Sequence, residues 1–328
     1  MISISREKSA SMKGLLMCLI IMGHNHYFVS AFSIQSYDWL YSFHVACFFI
    51  LPFLYEAHSF SWFRFWTNMK RLFWPYTIMF IFLFLIRLLS KNADLDIGLV
   101  DTWITGNIYA LKTYTGFQYL WFLPAMVSML TIKDMYVSAS KGGKWGILGA
   151  GVIFFVFFWL FLYNRPWSSS INHFLAKLSI LSFMMGFAMF FLGWFTKLII
   201  VRYLLPSWLL VLGMLMFLIA MLLTSNTVYY DFIRWGARAV CPIMFFALLF
   251  KHSDVYNCSF LNEIGRLSLP IYLFHQPINV VVCSLANQFE LSSSLMLLIS
   301  FSIILGASFF VSRMVYSIKG IRGFLFPR

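Results

Sequence analysis

Apolar residues run along this chain in blocks of about 20, divided by short polar or basic stretches. A block of that length is what an α-helix needs to cross a ~30 Å hydrocarbon core. The windows predict ten helices, at 12–32, 40–58, 72–90, 118–136, 145–163, 174–194, 206–224, 228–250, 266–287 and 294–315. Pro75, Pro124, Pro206, Pro242, Pro270 and Pro277 fall at or inside the ends of these windows. Membrane helices tolerate kinks and breaks of that kind beside cavities. The longest outside loop, about 91–117, carries Asp94, Asp96 and Asp101, and no stretch is long enough for a soluble domain. The expected fold is therefore an all-α integral membrane protein. A single multi-pass domain would occupy 1–328, with no separate soluble domain.

Composition agrees with the pattern. The chain is 61% hydrophobic and 11% charged, whereas soluble domains carry about 25% charged residues. A net charge of +13 raises the question of nucleic acid. The basic residues are spread over short interhelical loops, which reads as a topology signal and excludes a phosphate-tracking patch. With a cytoplasmic N-terminus, only Lys91, Lys112 and Arg165 lie outside, and Arg87, Lys177, Arg234 and Arg238 lie within spans. The other seventeen of 24 Lys and Arg fall inside. The positive-inside rule then predicts both termini in the cytoplasm. The basic start and apolar run at the N-terminus read as an uncleaved first span, because no small-residue cleavage site follows. The five cysteines are scattered and predict free thiols rather than a disulfide framework.

Against this apolar background a few ionisable groups stand out. Lys13 and His24 are eleven residues apart, which is three helical turns plus about 20°, so the two side chains share a face. His24 then lies roughly 16 Å beyond Lys13, about half of the hydrocarbon thickness. An imidazole at that depth can act as a general base toward an attacking hydroxyl, or can hydrogen-bond a neighbouring helix for packing alone. Lys13 reads as a snorkelling anchor, or with Lys70 and Arg71 as a cationic mouth for a phosphorylated ligand. His275 lies about 13–14 Å in from Arg266, close to the depth of His24. The two rings can face one cavity as base and positioning group, or His275 can make a structural hydrogen bond. Arg234 and Arg238 share a face in the eighth window, and Arg87 is near the outer end of the third. These three can bind an anionic or hydroxyl-rich acceptor from outside, or be neutralised by Glu56 or Asp231. His24 and His26 point to different helix faces, so no metal site is expected. No Walker-type loop, dinucleotide fingerprint or nucleophile elbow occurs, which excludes nucleotide-driven coupling within the chain.

Several segments, in order along most of the chain, resemble the acyltransferase family 3 of integral membrane proteins. That family includes fucose O-acetylase-like enzymes and bacterial surface-polysaccharide O-acetyltransferases. Lys13-Gly14-Leu15 and Ile21-Met22-Gly23-His24 are similar to its basic residue, ten-residue gap and histidine. Phe43-His44-Val45-Ala46-Cys47-Phe48-Phe49 resembles the second-span signature, and Arg71-Leu72 with Pro75-Tyr76 the basic start of span three. Leu120-Trp121-Phe122-Leu123-Pro124 resembles the Trp-Phe-Leu-Pro run. Ile264 to His275 resembles the late Gly, Ser, Tyr-Leu and His motif. Two departures occur: Leu51-Pro52 replaces a small Ser-Gly pair, and Asn68 stands where an Arg-x-x-Arg pattern begins.

The resemblance implies acyl transfer, usually of acetyl from cytoplasmic acetyl-CoA to a sugar hydroxyl. No permanently bound cofactor is expected. The donor's phosphates would sit near Lys13, Lys70 and Arg71, with the pantetheine arm running toward His24. His24 would deprotonate the hydroxyl or briefly carry the acetyl group. A lipid-linked or polymeric glycan acceptor would approach past Arg87, Arg234, Arg238 and His275. The expected location is the bacterial inner membrane. A transporter or flippase of a lipid-linked sugar is the main rival, and a non-catalytic scaffold in a glycan-assembly complex is a third reading.

Overall fold

The computed structural model describes residues 4–56, 58–90, 97–157, 181–202, 205–225, 227, 229–289 and 291–327. Among these residues the regular elements are all helical. In chain order they are α1 (Arg6–His24), α2 (Tyr27–Ala31), α3 (Ile34–Tyr41), α4 (His44–Ile50), α5 (Trp62–Asn68) and α6 (Trp74–Leu89). Next come α7 (Ile97–Thr105), α8 (Ile108–Thr115), α9 (Phe122–Ser138), α10 (Lys141–Phe157), α11 (Leu181–Arg202) and α12 (Ser207–Leu223). The last are α13 (Tyr229–Lys251), α14 (Ser259–Arg266), α15 (Ser268–Ala286), α16 (Ser293–Ser317) and α17 (Lys319–Leu325).

Seven helical stretches among the described residues are long and apolar enough to cross a bilayer. They are Ile34–Leu54, Trp62–Leu89, Tyr119–Ser138, Ser182–Ile200, Tyr229–Lys251, Ser268–Ala286 and Ser293–Ser317. Their outward faces are apolar too: Leu295, Leu298, Ile303 and Phe310 of α16 are exposed, as lipid-facing residues are. The protein is an all-α integral membrane protein. Ten windows were expected. Of the three not among the seven, α1 carries Arg6, Glu7, Lys8 and Lys13, α12 has 17 residues, and α10 is described as far as Phe157. Residues 158–163 and 174–180 of the fifth and sixth windows lie outside the described residues.

Backbone contacts divide the chain into two compact units, Met1–Tyr55 with Gly193–Val315 and Glu56–Leu192 with Tyr316–Arg328. In the first, Ser5 starts α1 by accepting a hydrogen bond from the Lys8 amide at 3.2 Å. Small residues then let α14 cross α1 in backbone contact. A side-chain carbon at Gly265 would overlap the Ala10 carbonyl, and one at Gly14 would overlap that of Leu261. Phe28, Leu40, Phe43, Met214, Met221, Cys241 and Leu297 form an apolar cluster across α2, α3, α12, α13 and α16. The Trp39 indole ties α3 to α12 by donating to the Met214 carbonyl at 3.0 Å.

The second unit is organised around α6. A π-helical turn, Met69–Phe73, joins it to α5 and carries Lys70 and Arg71. Trp103 of α7 donates to the Thr77 hydroxyl at 3.0 Å, and the Tyr76 hydroxyl donates to the Trp103 carbonyl at 2.9 Å. Arg64 pairs with the buried Asp134 at 3.1 Å.

Besides the third stretch, which starts at Trp62 rather than at 72, three differences from the sequence expectation have local causes. The first window is not one helix: α1 stops at His24, because Asn25 turns extended (φ −68°, ψ 128°) and its side chain accepts from the Tyr27 amide at 3.0 Å. The second begins earlier, at Ser33, whose hydroxyl caps the Ser36 amide at 3.0 Å, and it ends in a 3-10 turn, Leu51–Leu54, that holds Pro52. The expected loop at 91–117 contains α7 and α8, each followed by a glycine of positive φ, Gly106 at 59° and Gly116 at 79°.

Candidate active site

The break after His24 creates the most chemically distinctive place in the first unit. Ending a helix frees its last carbonyls, which need new donors. Asn279 of α15 supplies one: its side-chain amide donates to the His24 carbonyl at 2.8 Å. The oxygen of the same side chain accepts from the Cys283 thiol at 3.2 Å. Beside it, the Asn25 amide donates to the Ser300 hydroxyl of α16 at 2.8 Å. Polar groups of two further helices thus hold the end of α1 in place.

His275 stands four residues before Asn279, so both lie on one face of α15. Its Nε2 is 2.9 Å from Nδ1 of His24. The ring centroids are 5.1 Å apart and the planes differ by 25°, so the two imidazoles are nearly coplanar. On its other side His275 Nδ1 lies 2.6 Å from the Tyr272 carbonyl oxygen. His275 is 0% exposed, whereas His24 is half-buried. The Tyr41 ring approaches His24 edge-on at 5.6 Å, and the His44 ring does so at 6.3 Å. His44 Nδ1 lies 2.7 Å from the Leu40 carbonyl oxygen and donates to it. Lys13, earlier on α1, is half-buried with its ammonium 5.9 Å from the centre of the Tyr55 ring.

Arg234 and Arg238 gather elsewhere in the same unit. Arg234 is 1% exposed and contacts Asp231 at 2.6 Å and Asp38 at 3.3 Å. Arg238 reaches the other oxygen of Asp38 at 3.6 Å, and the Tyr230 hydroxyl donates to Asp38 at 2.7 Å. Of the two carboxylates expected to neutralise them, Asp231 takes that part, but the central one is Asp38. Lys70, Arg71 and Arg87 belong to the second unit. The first two are exposed on the π-helical turn, and Arg87 is half-buried in the last turn of α6 beside Gly116.

The structure therefore brings His24 and His275 into direct contact, and Arg234 with Arg238 around one carboxylate. Tyr41, Asn279 and Asp38 were not singled out from the sequence. Asp38 had a signal nonetheless, since two arginines inside a span demand counter-charge in a chain with only 11 acidic residues. It was hidden because it falls between two hydropathy windows.

Chemically, a partly accessible imidazole backed by a buried one can accept a proton from a bound hydroxyl or attack an acyl carbon. Comparison with protein families points to acyl chemistry. The family model Acyl_transf_3, described as an acyltransferase domain, matches residues 11–316. No curated protein and no solved structure matches the chain.

Proposed function

This chain belongs to acyltransferase family 3, and from that membership we propose that it moves an acetyl group from cytoplasmic acetyl-CoA to a hydroxyl of a surface-glycan sugar. Family and fold together make it a multi-pass membrane acyltransferase. The donor, the acceptor and the bacterial inner membrane, with both termini cytoplasmic, are our reading. One observation carries it: the imidazole pair at the broken end of α1, with His24 Nδ1 at 2.9 Å from His275 Nε2.

Acyl transfer to an alcohol needs a base for the hydroxyl proton, or a nucleophile that holds the acyl group between two steps. Imidazole serves in either role near neutrality, and we assign it to His24, within the membrane. Lys13, on the same helix, is our candidate for the donor's phosphates. Lys70 and Arg71 are proposed as phosphate-binding cations from their charge and the family resemblance alone. For the acceptor we name Arg87, with Arg234 and Arg238 acting as a buried frame through Asp38. His275, buried behind His24, acts on the acceptor only through that ring.

Two measurements test the reading. Detergent-solubilised protein should bind coenzyme A at equilibrium, which a transporter of lipid-linked sugar has no need to do. Cells carrying His24→Ala should insert the protein but lose the O-acetyl signals of their surface glycan in NMR spectra. Retained signals in that variant would reject the role of His24.

A further inference from the structure

We infer that His275 is a positioning residue that keeps the ring proton of His24 on Nδ1 and leaves the lone pair on Nε2. The inference rests on the reading of His24 as the reacting imidazole and says which of its nitrogens reacts. The argument starts at the far end of the chain of contacts. A carbonyl oxygen only accepts hydrogen bonds, so His275 Nδ1, at 2.6 Å from the Tyr272 oxygen, carries the hydrogen. A neutral imidazole has one N–H, so His275 Nε2 is bare. His24 Nδ1, at 2.9 Å from that bare nitrogen, must then donate. The only nitrogen left with a lone pair is His24 Nε2. The sequence of bonds cannot run the other way with both rings neutral, because the Tyr272 carbonyl has nothing to donate.

The ring geometry fits this reading. With the two nitrogens 2.9 Å apart and the ring centroids 5.1 Å apart, both nitrogens lie close to the line between the ring centres, as in an in-plane N–H···N bond. The arrangement is also held from the backbone. Asn279, one turn along α15 from His275, bonds the His24 carbonyl at 2.8 Å, so one helix face fixes both the main chain and the ring.

Free histidine in water favours the opposite tautomer, with the proton on Nε2. His275 therefore reverses the intrinsic preference. In the direct route, His24 Nε2 takes the proton of the sugar hydroxyl while the hydroxyl oxygen bonds to the thioester carbon. The carbon–sulfur bond then breaks, and the imidazolium returns the proton to the coenzyme A thiolate. The products are an O-acetyl ester and the free thiol, and His24 ends as it began. In the covalent route the same Nε2 lone pair attacks the thioester carbon and the carbon–sulfur bond breaks to release the coenzyme A thiolate. The sugar hydroxyl oxygen then bonds to the acetyl carbon as the bond to Nε2 breaks, and the hydroxyl proton ends on the thiolate. Both routes require that nitrogen to be bare. Throughout, His275 accepts from Nδ1–H and supports the imidazolium, as a neutral counterpart of the carboxylate behind a hydrolase histidine.

The test uses the full chain in lipid nanodiscs with 15N-labelled histidine, because protonated and bare ring nitrogens give well-separated resonances. His24 is assigned by the signal lost in His24→Gln. The parent should show the proton of His24 on Nδ1. In His275→Leu the proton should move to Nε2, and kcat should fall by about 10²- to 10⁴-fold with the KM for acetyl-CoA little changed. His275→Gln keeps an acceptor where Nε2 stood and should retain kcat within about tenfold of the parent. A proton on Nε2 of His24 in the parent overturns the inference, and this reading needs no variant at position 275 to fold. Full kcat in a folded His275→Leu protein also overturns it. If His24→Ala stays active while the parent shows the Nδ1 tautomer, the functional reading fails and the proton arrangement stands.

Discussion

Asp38 and Tyr41 are one turn apart on α3, yet they look onto two different kinds of polar interior. Tyr41 meets the imidazole rings of His24 and His44, at 5.6 and 4.6 Å between centroids. Asp38 meets Arg234 at 3.3 Å and Arg238 at 3.6 Å, with Asp231 completing a set of two formal charges of each sign. In the second region each arginine faces a carboxylate, and Asp38, Arg234 and Arg238 are buried while Asp231 is half-buried. The first has no carboxylate or guanidinium among these contacts, is joined by ring contacts and the His24–His275 hydrogen bond, and includes a ring that is half-buried rather than sealed. Ionisable residues inside a membrane protein are functional candidates by default. The contrast shows how to divide them. Charges that meet fixed counter-charges build the frame, and a neutral titratable ring with a defined proton donor and acceptor is where chemistry can occur.

Substitutions should separate the two regions, beginning with the frame. Asp38→Ala removes the carboxylate shared by both arginines and leaves buried guanidinium groups with less counter-charge. Breaking such a pair costs about 3–5 kcal/mol. The thermal unfolding midpoint of the solubilised protein should fall markedly, whereas His24→Ala should leave it close to the parent. An equal fall for both variants would erase the distinction. A smaller effect is expected at the crossing of α1 and α14. Gly265→Ala pushes a methyl into the Ala10 carbonyl and should cost about 1–3 kcal/mol, as overpacking does. Because α1 carries His24, this variant should lose activity as well as stability, which Asp38→Asn measured at equal folded fraction should not do to the same degree. The smallest effect belongs to the exposed pair of Arg313 and Glu263, 3.9 Å apart at the surface. Glu263→Gln should change stability by less than about 0.5 kcal/mol in the same unfolding assay. A large loss there would mean that formal charge, rather than burial, governs these pairs.

Much of this was legible in the chain. Hydropathy finds most of the long helices, because a bilayer demands about 20 apolar residues in a row. Counting rise from the two helix starts puts His24 and His275 at similar depth, and the structure brings them into contact. The motifs from Lys13 to His275 point to the family whose model matches residues 11–316. Other features have no signature at that scale. α7 and α8 are 9 and 8 residues long in a stretch with three nearby acids, too short for a membrane-length window to register. The break at Asn25 combines a local turn closed on the Tyr27 amide with partners more than 250 residues away, Ser300 and Asn279, which the local sequence does not announce. Asp38 acquires its meaning only when α13 brings Arg234 and Arg238 against α3.

The central claim is that His24 performs acyl transfer in a membrane protein of this family. Purified parent and His24→Ala proteins in nanodiscs, given radiolabelled acetyl-CoA and glycan from cells lacking the protein, test it most directly. The parent should place alkali-labile label on the glycan, and the variant, folded to the same midpoint, should place at least about 10²-fold less. Equal labelling by the two proteins would contradict the claim.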